Sequence, residues 1–225
     1  MMKGTGLAQA GLLIETNHLL VMIDPYLSDS VGAAGGKHRR IPVDEALFDL
    51  RPDVMVFTHD HLDHYDPETA SRFLNCKEKS MLVLSPHSCW IKARACGAPH
   101  NYVRFEAGAE WTEKEVRFCS VPAEHSDPCA IGVVIEAEGK RLYVTGDTLY
   151  STRVLNALPG DIDYVFLPVN GVGNNMNMAD AARFASAAGA RHAVPLHYGL
   201  LDEMTPDAFA FANKLVLTPF QSAEI

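Results

Sequence analysis

The chain has 225 residues, 48% of them apolar and 21% charged, with a formal net charge of −9. That length and apolar share suffice to bury a sizeable core in a single domain spanning residues 1–225. The acidic balance argues against gripping nucleic acid through its phosphates, which calls for a basic surface, and no run approaches the roughly 18 apolar residues of a membrane span.

The N-terminal stretch "MMKGTGLAQAGLLIETNHLLVMID" has one lysine and no small-residue cleavage site behind an apolar core, so no secretory signal is expected. Short apolar runs then recur in chain order as expected strands: "GLLIET", "HLLVMID", "VMVFT", "MLVLS", "EVRFCSV", "IGVVIEA", "RLYVTG", "YVFLPV" and "HAVPL". "ETNH" should join the first two as a hairpin, and Glu138-Gly139-Lys140 should join "IGVVIEA" to "RLYVTG". Helices are expected over "DPETASRFLNC", with Asp66 as N-cap and Pro67 first, and over "SCWIKARACGAP", stopped by Gly97 and Pro99. Two more are expected over "NMADAARFASAAGA", capped by Asn177, and over "TPDAFAFANKL" from Thr205. Hairpins early and βα units late predict an α/β (α+β) arrangement of two packed sheets with helices outside. The five cysteines are odd in number and form no Cys-x-x-Cys pair, which fits reduced thiols in a cytoplasmic protein.

The densest chemistry lies in "THDHLDH", where an apolar strand runs into His59, His61, Asp63 and His64. Buried imidazoles and carboxylates are costly unless paired or bound to a cation. His59 and His61, two apart on extended chain, point to one side and can share an ion. Asp63 and His64, past a tight bend, can face a second. His125 in "PAEHSDP", Asp147 after "RLYVTG" and His197 after "HAVPL" each fall where a strand passes into a loop, and the Asp147 carboxylate is placed to bridge two ions. Imidazole with carboxylate suits Zn, Mn or Fe. Any one of these histidines alone would read equally well as a packing residue; the cluster from His59 to His64 would not.

Taken in order, "THDHLDH", His125, "TGDT" and "PLHYG" resemble the metallo-β-lactamase superfamily, and "AQAG", "IDPYLSDSV", "HSDPCAIGVVIE" and "LPVNG" resemble its L-ascorbate-6-phosphate lactonase-like branch of metal-dependent hydrolases. The resemblance implies a four-layer αββα sandwich with a dinuclear site at one edge, and two divalent ions, Zn or Mn, as cofactors. It implies that His59, His61 and His125 hold the first ion, that Asp63, His64 and His197 hold the second, and that Asp147 bridges. Di-iron oxidoreductases of the superfamily carry Glu where this chain has His61, which favours hydrolysis over redox chemistry.

The chemistry so implied is attack by a hydroxide, present at neutral pH because bound metal lowers the pKa of water, on a small anionic, phosphorylated lactone or ester. Asp63 is the expected catalytic proton carrier, and Asp24 is a candidate to orient an imidazole. Substrate contacts are expected from Arg40, Asn170, Asn175 and Tyr198, with Lys37 and Arg39 in the same basic loop, residues 35–42, as further cations. A solvated loop is the competing reading of that stretch. Partners are limited to a small-molecule substrate and, by analogy with the lactonases, a second copy of the chain. The rival functions are a phosphodiesterase or nuclease on the same ligand set and a non-catalytic metal-binding protein.

Overall fold

The computed structural model describes residues 2–225. A first sheet contains β1 (Lys3–Gly6), β2 (Leu12–Glu15), β3 (Leu20–Ile23), β4 (Val54–Val56), β5 (Leu82–Ser85), β6 (Asn101–Arg104) and the C-terminal β13 (Ser222–Glu224), in the order β13-β1-β2-β3-β4-β5-β6. The second contains β7 (Glu110–Glu113), β8 (Val116–Pro122), β9 (Ile131–Ala137), β10 (Lys140–Val144), β11 (Tyr164–Pro168) and β12 (His192–Leu196), in the order β12-β11-β10-β9-β8-β7. Each sheet opens with antiparallel meanders and closes with parallel strands, β3 to β6 in one and β10 to β12 in the other. Parallel units are therefore shared by both halves, rather than confined to the later part of the chain.

Strand alternation creates three apolar layers. Leu12, Ile14, Val21, Ile23, Val54 and Val56 face Ile131, Val133, Ile135, Leu142, Val144 and Phe166 across the space between the sheets. The intervening Leu13, Met22, Met55 and Val83 face outward and pack beneath α2 (Pro67–Leu74) and α3 (His87–Ala95), which follow a single-turn α1 (Ser30–Ala33) in the chain. On the other side Val134, Tyr143, Val165 and Leu167 pack with Val154 of α4 (Thr152–Asn156) and with Phe184 and Ala185 of α5 (Met178–Ala187). Strands buried on both faces read as unbroken apolar runs, which is why nine of them stand out in the sequence. The result is an αββα sandwich.

The expected caps are present. Asp66 accepts from the Glu68 and Thr69 amides ahead of Pro67, and Asn177 accepts from the Asp180 amide. Between β9 and β10, Glu138 (φ 52°) and Gly139 (φ 74°) form the left-handed pair that a two-residue hairpin requires. The expected helix over "TPDAFAFANKL" does not form. Its backbone bonds to the free edge of β12 instead, Ala193 N to Asn213 O (3.2 Å) and Leu215 N to Ala193 O (3.0 Å), while Phe209 enters the outer core. Among the described residues no helix is long and apolar enough to cross a membrane.

Candidate metal centre

Strand direction gathers the site. β3 and β4 are parallel neighbours, β8, β10 and β12 all run in one direction, and β1 points the same way as β3. The segments that follow these strands carry Gln9, Asp24, His59 to His64, His125, Asp147 and His197 to one edge of the sandwich. The sheets are tied together there by the Ile131 amide on the Thr58 carbonyl (3.0 Å) and the His197 amide on the Gln9 carbonyl (2.8 Å). Gly146 lies in this seam with φ 59°, and a Cβ on it would sit 2.9 Å from both Thr58 and the Ile131 carbonyl.

The seven sequence-selected residues meet as two groups with one carboxylate between them. His59, His61 and His125 form one, and Asp63, His64 and His197 the other. His125 Nε2 is 3.2 Å from His61 Nδ1. His197 Nε2 is 3.1 Å from Asp63 Oδ2 and 3.2 Å from Asp147 Oδ2, and His64 Nε2 is 3.2 Å from Asp147 Oδ1. His59 Nε2 lies 4.0 Å from Asp147 Oδ2, so Asp147 reaches both groups. The bend expected after His61 is a single turn closed by the His64 and Tyr65 amides on the His61 carbonyl.

Two of the rings, His64 and His125, are held from behind. The fully buried Asp24 takes the Thr58 amide (2.8 Å) and hydroxyl and accepts from His64 Nδ1 (2.8 Å), which turns Nε2 toward Asp147. Asp24 also lies within reach of His59 and His64 as a third trio, but its oxygens are engaged by Thr58 and the far side of His64, so it supports rather than ligates. His125 Nδ1 lies 3.3 Å from the Asn174 carbonyl, and Asn175 Nδ2 donates to Asp147 Oδ2 (2.8 Å). Asp24 and His197 both have left-handed backbones, φ 43° and 64°. Such strain costs about 1–3 kcal/mol per residue and persists only where the surroundings impose it.

The electrostatics are those of a cluster without enough positive charge. Burial and the neighbouring His64 push the His59 imidazole well below its ordinary pKa. Burial acts the same way on His64 and His197, but the Asp147 and Asp63 carboxylates outweigh it, holding His64 well above its ordinary value and His197 at about 10. Asp147 lies well below the usual carboxylate range because His197 and His64 overcome its burial. The Asp147 and Asp63 carboxylates thus favour positive charge at His64 and His197, the charge a divalent cation entering the site would supply in place of imidazole protons.

A cation fits the donor set on a structural criterion. His59 Nε2, His64 Nε2 and Asp147 Oδ1 are buried without any hydrogen bond, although the last two are only 3.2 Å apart. His59 belongs to the first trio and His64 to the second, and Asp147 lies within 4.0 Å of both. Buried polar atoms are rarely left so, and imidazole nitrogens together with carboxylate oxygens suit a divalent ion such as Zn, Mn or Fe.

Comparison with known proteins bears on the family and the fold. Residues 20–198 match the beta-lactamase superfamily domain. A UPF0173 metal-dependent hydrolase of Bacillus pumilus is 30% identical over the full length of both chains. The chain belongs to this family of metal-dependent hydrolases within the metallo-β-lactamase superfamily. Among solved structures, the fold is shared with Igni18, a metallo hydrolase of Ignicoccus hospitalis (TM-score 0.78, 19% identity, covering 99% of this chain and 97% of that one). It is also shared with an isothiocyanate hydrolase from Delia radicum gut bacteria (TM-score 0.75, 16% identity, covering 100% and 99%).

As in any superfamily with one fold and many substrates, the surroundings of the centre carry the specificity. A cleft of about 440 Å³ opens onto His61, Asp63, Asp147 and His197. Asn170 and Asn175 both line it, and both also bear on the centre, Asn170 through an amide 2.9 Å from His197 Nδ1. The basic loop divides by residue. Arg39 turns inward onto the carbonyls of Tyr26, Ser28 and Ile41, Arg40 pairs with Glu203 (2.9 Å), and Lys37 lines the cleft. Tyr198 lies behind the centre, against a separate apolar pocket of about 220 Å³. Gln9, 6% exposed and donating to Asp63 Oδ2 (2.9 Å), was not singled out in the sequence. Its signal is its place in "AQAG", the segment between β1 and β2 that carries part of the resemblance.

Proposed function

We propose that this hydrolase binds two divalent cations, Zn or Mn, and opens a small anionic lactone or ester, a phosphorylated lactone being the leading class. His59, His61 and His125 would hold the first ion, Asp63, His64 and His197 the second, and Asp147 would lie between them. The observation that carries the reading is the set of buried atoms without a hydrogen bond, His59 Nε2 in the first trio, His64 Nε2 in the second and Asp147 Oδ1 beside them. When bound, such a pair of ions supplies a hydroxide nucleophile at neutral pH and polarises the substrate's carbonyl or phosphoryl oxygen.

The chain's own residues do the rest. Asp63 Oδ2 is held by the Gln9 amide, which leaves Oδ1 to take a proton from the attacking water and return it to the leaving group. The buried Asp24 fixes the His64 ring in one tautomer. Lys37 is the only lysine or arginine lining the cleft among the described residues, and it supports an anionic substrate with one phosphate or carboxylate. A cleft of this size suits a small molecule. One lysine and a net charge of −9 offer little to a nucleic-acid backbone.

Metal analysis by mass spectrometry, on protein purified without added metal, combined with a screen of lactones and phosphodiesters, tests the reading. About two equivalents of Mn or Zn, with lactone turnover abolished by chelation and restored by metal, is the expected result. Protein that neither carries nor takes up metal would sink it, and phosphodiester turnover without lactone turnover would replace its substrate class.

A further inference from the structure

Gln9 touches one of the two ligand groups and not the other. Its Nε2 donates to Asp63 Oδ2 (2.9 Å) and lies 3.1 Å from His197 Nδ1 and 3.4 Å from His197 Nε2. Asp63 and His197 belong to the same trio, and no hydrogen bond joins Gln9 to His59, His61 or His125. The backbone enforces this placement. Ala8 (φ 66°) and Gln9 (φ 48°) are consecutive left-handed residues, closed by Gly11 N on Ala8 O (2.9 Å) and Leu7 N on Gly11 O (2.7 Å). The Gln9 carbonyl in turn receives the amide of His197, itself left-handed at 64°. Two non-glycine residues in this region are a costly way to make a turn. The turn delivers one amide group against two ligands that come from opposite halves of the chain.

We infer that Gln9 is a positioning residue for the second ion alone, clamping Asp63 and His197 into one arrangement so that the two metal positions fill with separable affinities. The inference rests on the two-ion reading above. The Gln9 N–H neutralises part of the Asp63 charge and fixes which carboxylate oxygen faces His197. Without it, Asp63 is a mobile carboxylate on a turn, and the ordering that Gln9 supplies in advance must be met at the moment of binding. Removing a partner of this kind typically weakens a metal site by ~10–100-fold.

The test is stepwise metal binding, which needs no substrate. Apo-protein is titrated with Co(II) or Zn against a competing chelator, with the Co(II) absorption bands distinguishing the two positions. Gln9→Met keeps the length of the side chain and removes its donor. Gln9→Asn keeps the amide one methylene short of its partners, and asparagine tolerates the left-handed backbone well, so this variant retains the turn. Both variants are expected to bind the first equivalent as the wild type does and the second ~10–100-fold more weakly. Unchanged affinity for both equivalents, or equal weakening of both, would overturn the inference while leaving the two-ion reading intact. Wild-type protein that binds fewer than two equivalents would remove that reading and this inference with it.

Discussion

Asp24 is the residue on which the most chemistry turns for the fewest atoms. Asp24→Asn keeps the shape and suits the left-handed backbone, yet it loses the charge facing His64 Nδ1. Metal affinity, read by chelator competition, is expected to fall ~10–100-fold. At Lys37 the expected effect is smaller, because an exposed ion pair is worth only about 0.2–1 kcal/mol. Lys37→Ala should raise KM for an anionic substrate about two- to fivefold with kcat unchanged, and added salt should erase the difference. At this scale the sequence was legible wherever ligands are contiguous. "HDHLDH" declares itself, and His125, Asp147 and His197 are recognisable from their places at strand ends. Which way a loop side chain turns was not legible. Lys37, Arg39 and Arg40 are near neighbours with similar chemistry, and only folding sends one to the cleft, one to backbone carbonyls and one to Glu203. Gln9 was hidden for the same reason, since its role depends on a backbone conformation.

At the scale of elements, α2 begins three residues after His64 and its cap, Asp66, lies two residues after it, so the cap and the centre share a foundation. Asp66 is buried and takes two amides and the Thr69 hydroxyl. Asp66→Ala should cost about 1–2 kcal/mol, measured by urea unfolding. Gly146→Ala would place a methyl group against Thr58 and the Ile131 carbonyl in a left-handed position. A loss on the order of 1–3 kcal/mol is expected there, together with loosening of Asp147. Strands were legible in proportion to their apolar content. The nine apolar runs all form, whereas β1 ("KGTG") is mostly buried but carries no apolar side chain, and β6 ("NYVR"), β7 ("EWTE") and β13 ("SAE") are short, largely polar and exposed or half-exposed. The segment after Thr205 misled because its helix-compatible composition was overridden by backbone bonds to β12, a partner that the local pattern cannot reveal.

For the molecule as a whole, metal removal should register as lost stability. A ligand at about a hundred times its Kd adds ~2.7 kcal/mol, and in a chain of this size each kcal/mol moves Tm by about 2–4 °C. Chelation is therefore expected to lower Tm by roughly 5–11 °C in scanning calorimetry, reversibly on adding Zn or Mn. An unchanged Tm would indicate that ions contribute nothing to the folded state. The layered architecture was readable from strand patterning, but the division of parallel and antiparallel pairing between the halves was not, because every strand buried on both faces looks alike in sequence.

The two sheets divide the ligands in a telling way. The first supplies His59, His61, Asp63 and His64, and the second supplies His125, Asp147 and His197, so each trio takes its third member from across the interface. His61 and His125, 64 residues apart in sequence, are 3.2 Å apart in space. An ion held there is a rivet as much as a reagent, closing a long chain loop as a disulfide does, but reversibly and without oxidation. Cutting the chain in the turn between β6 and β7 should give two fragments whose association, driven by the shared apolar layer and the β1–β13 pairing, is tightened by a divalent ion fastening one sheet to the other.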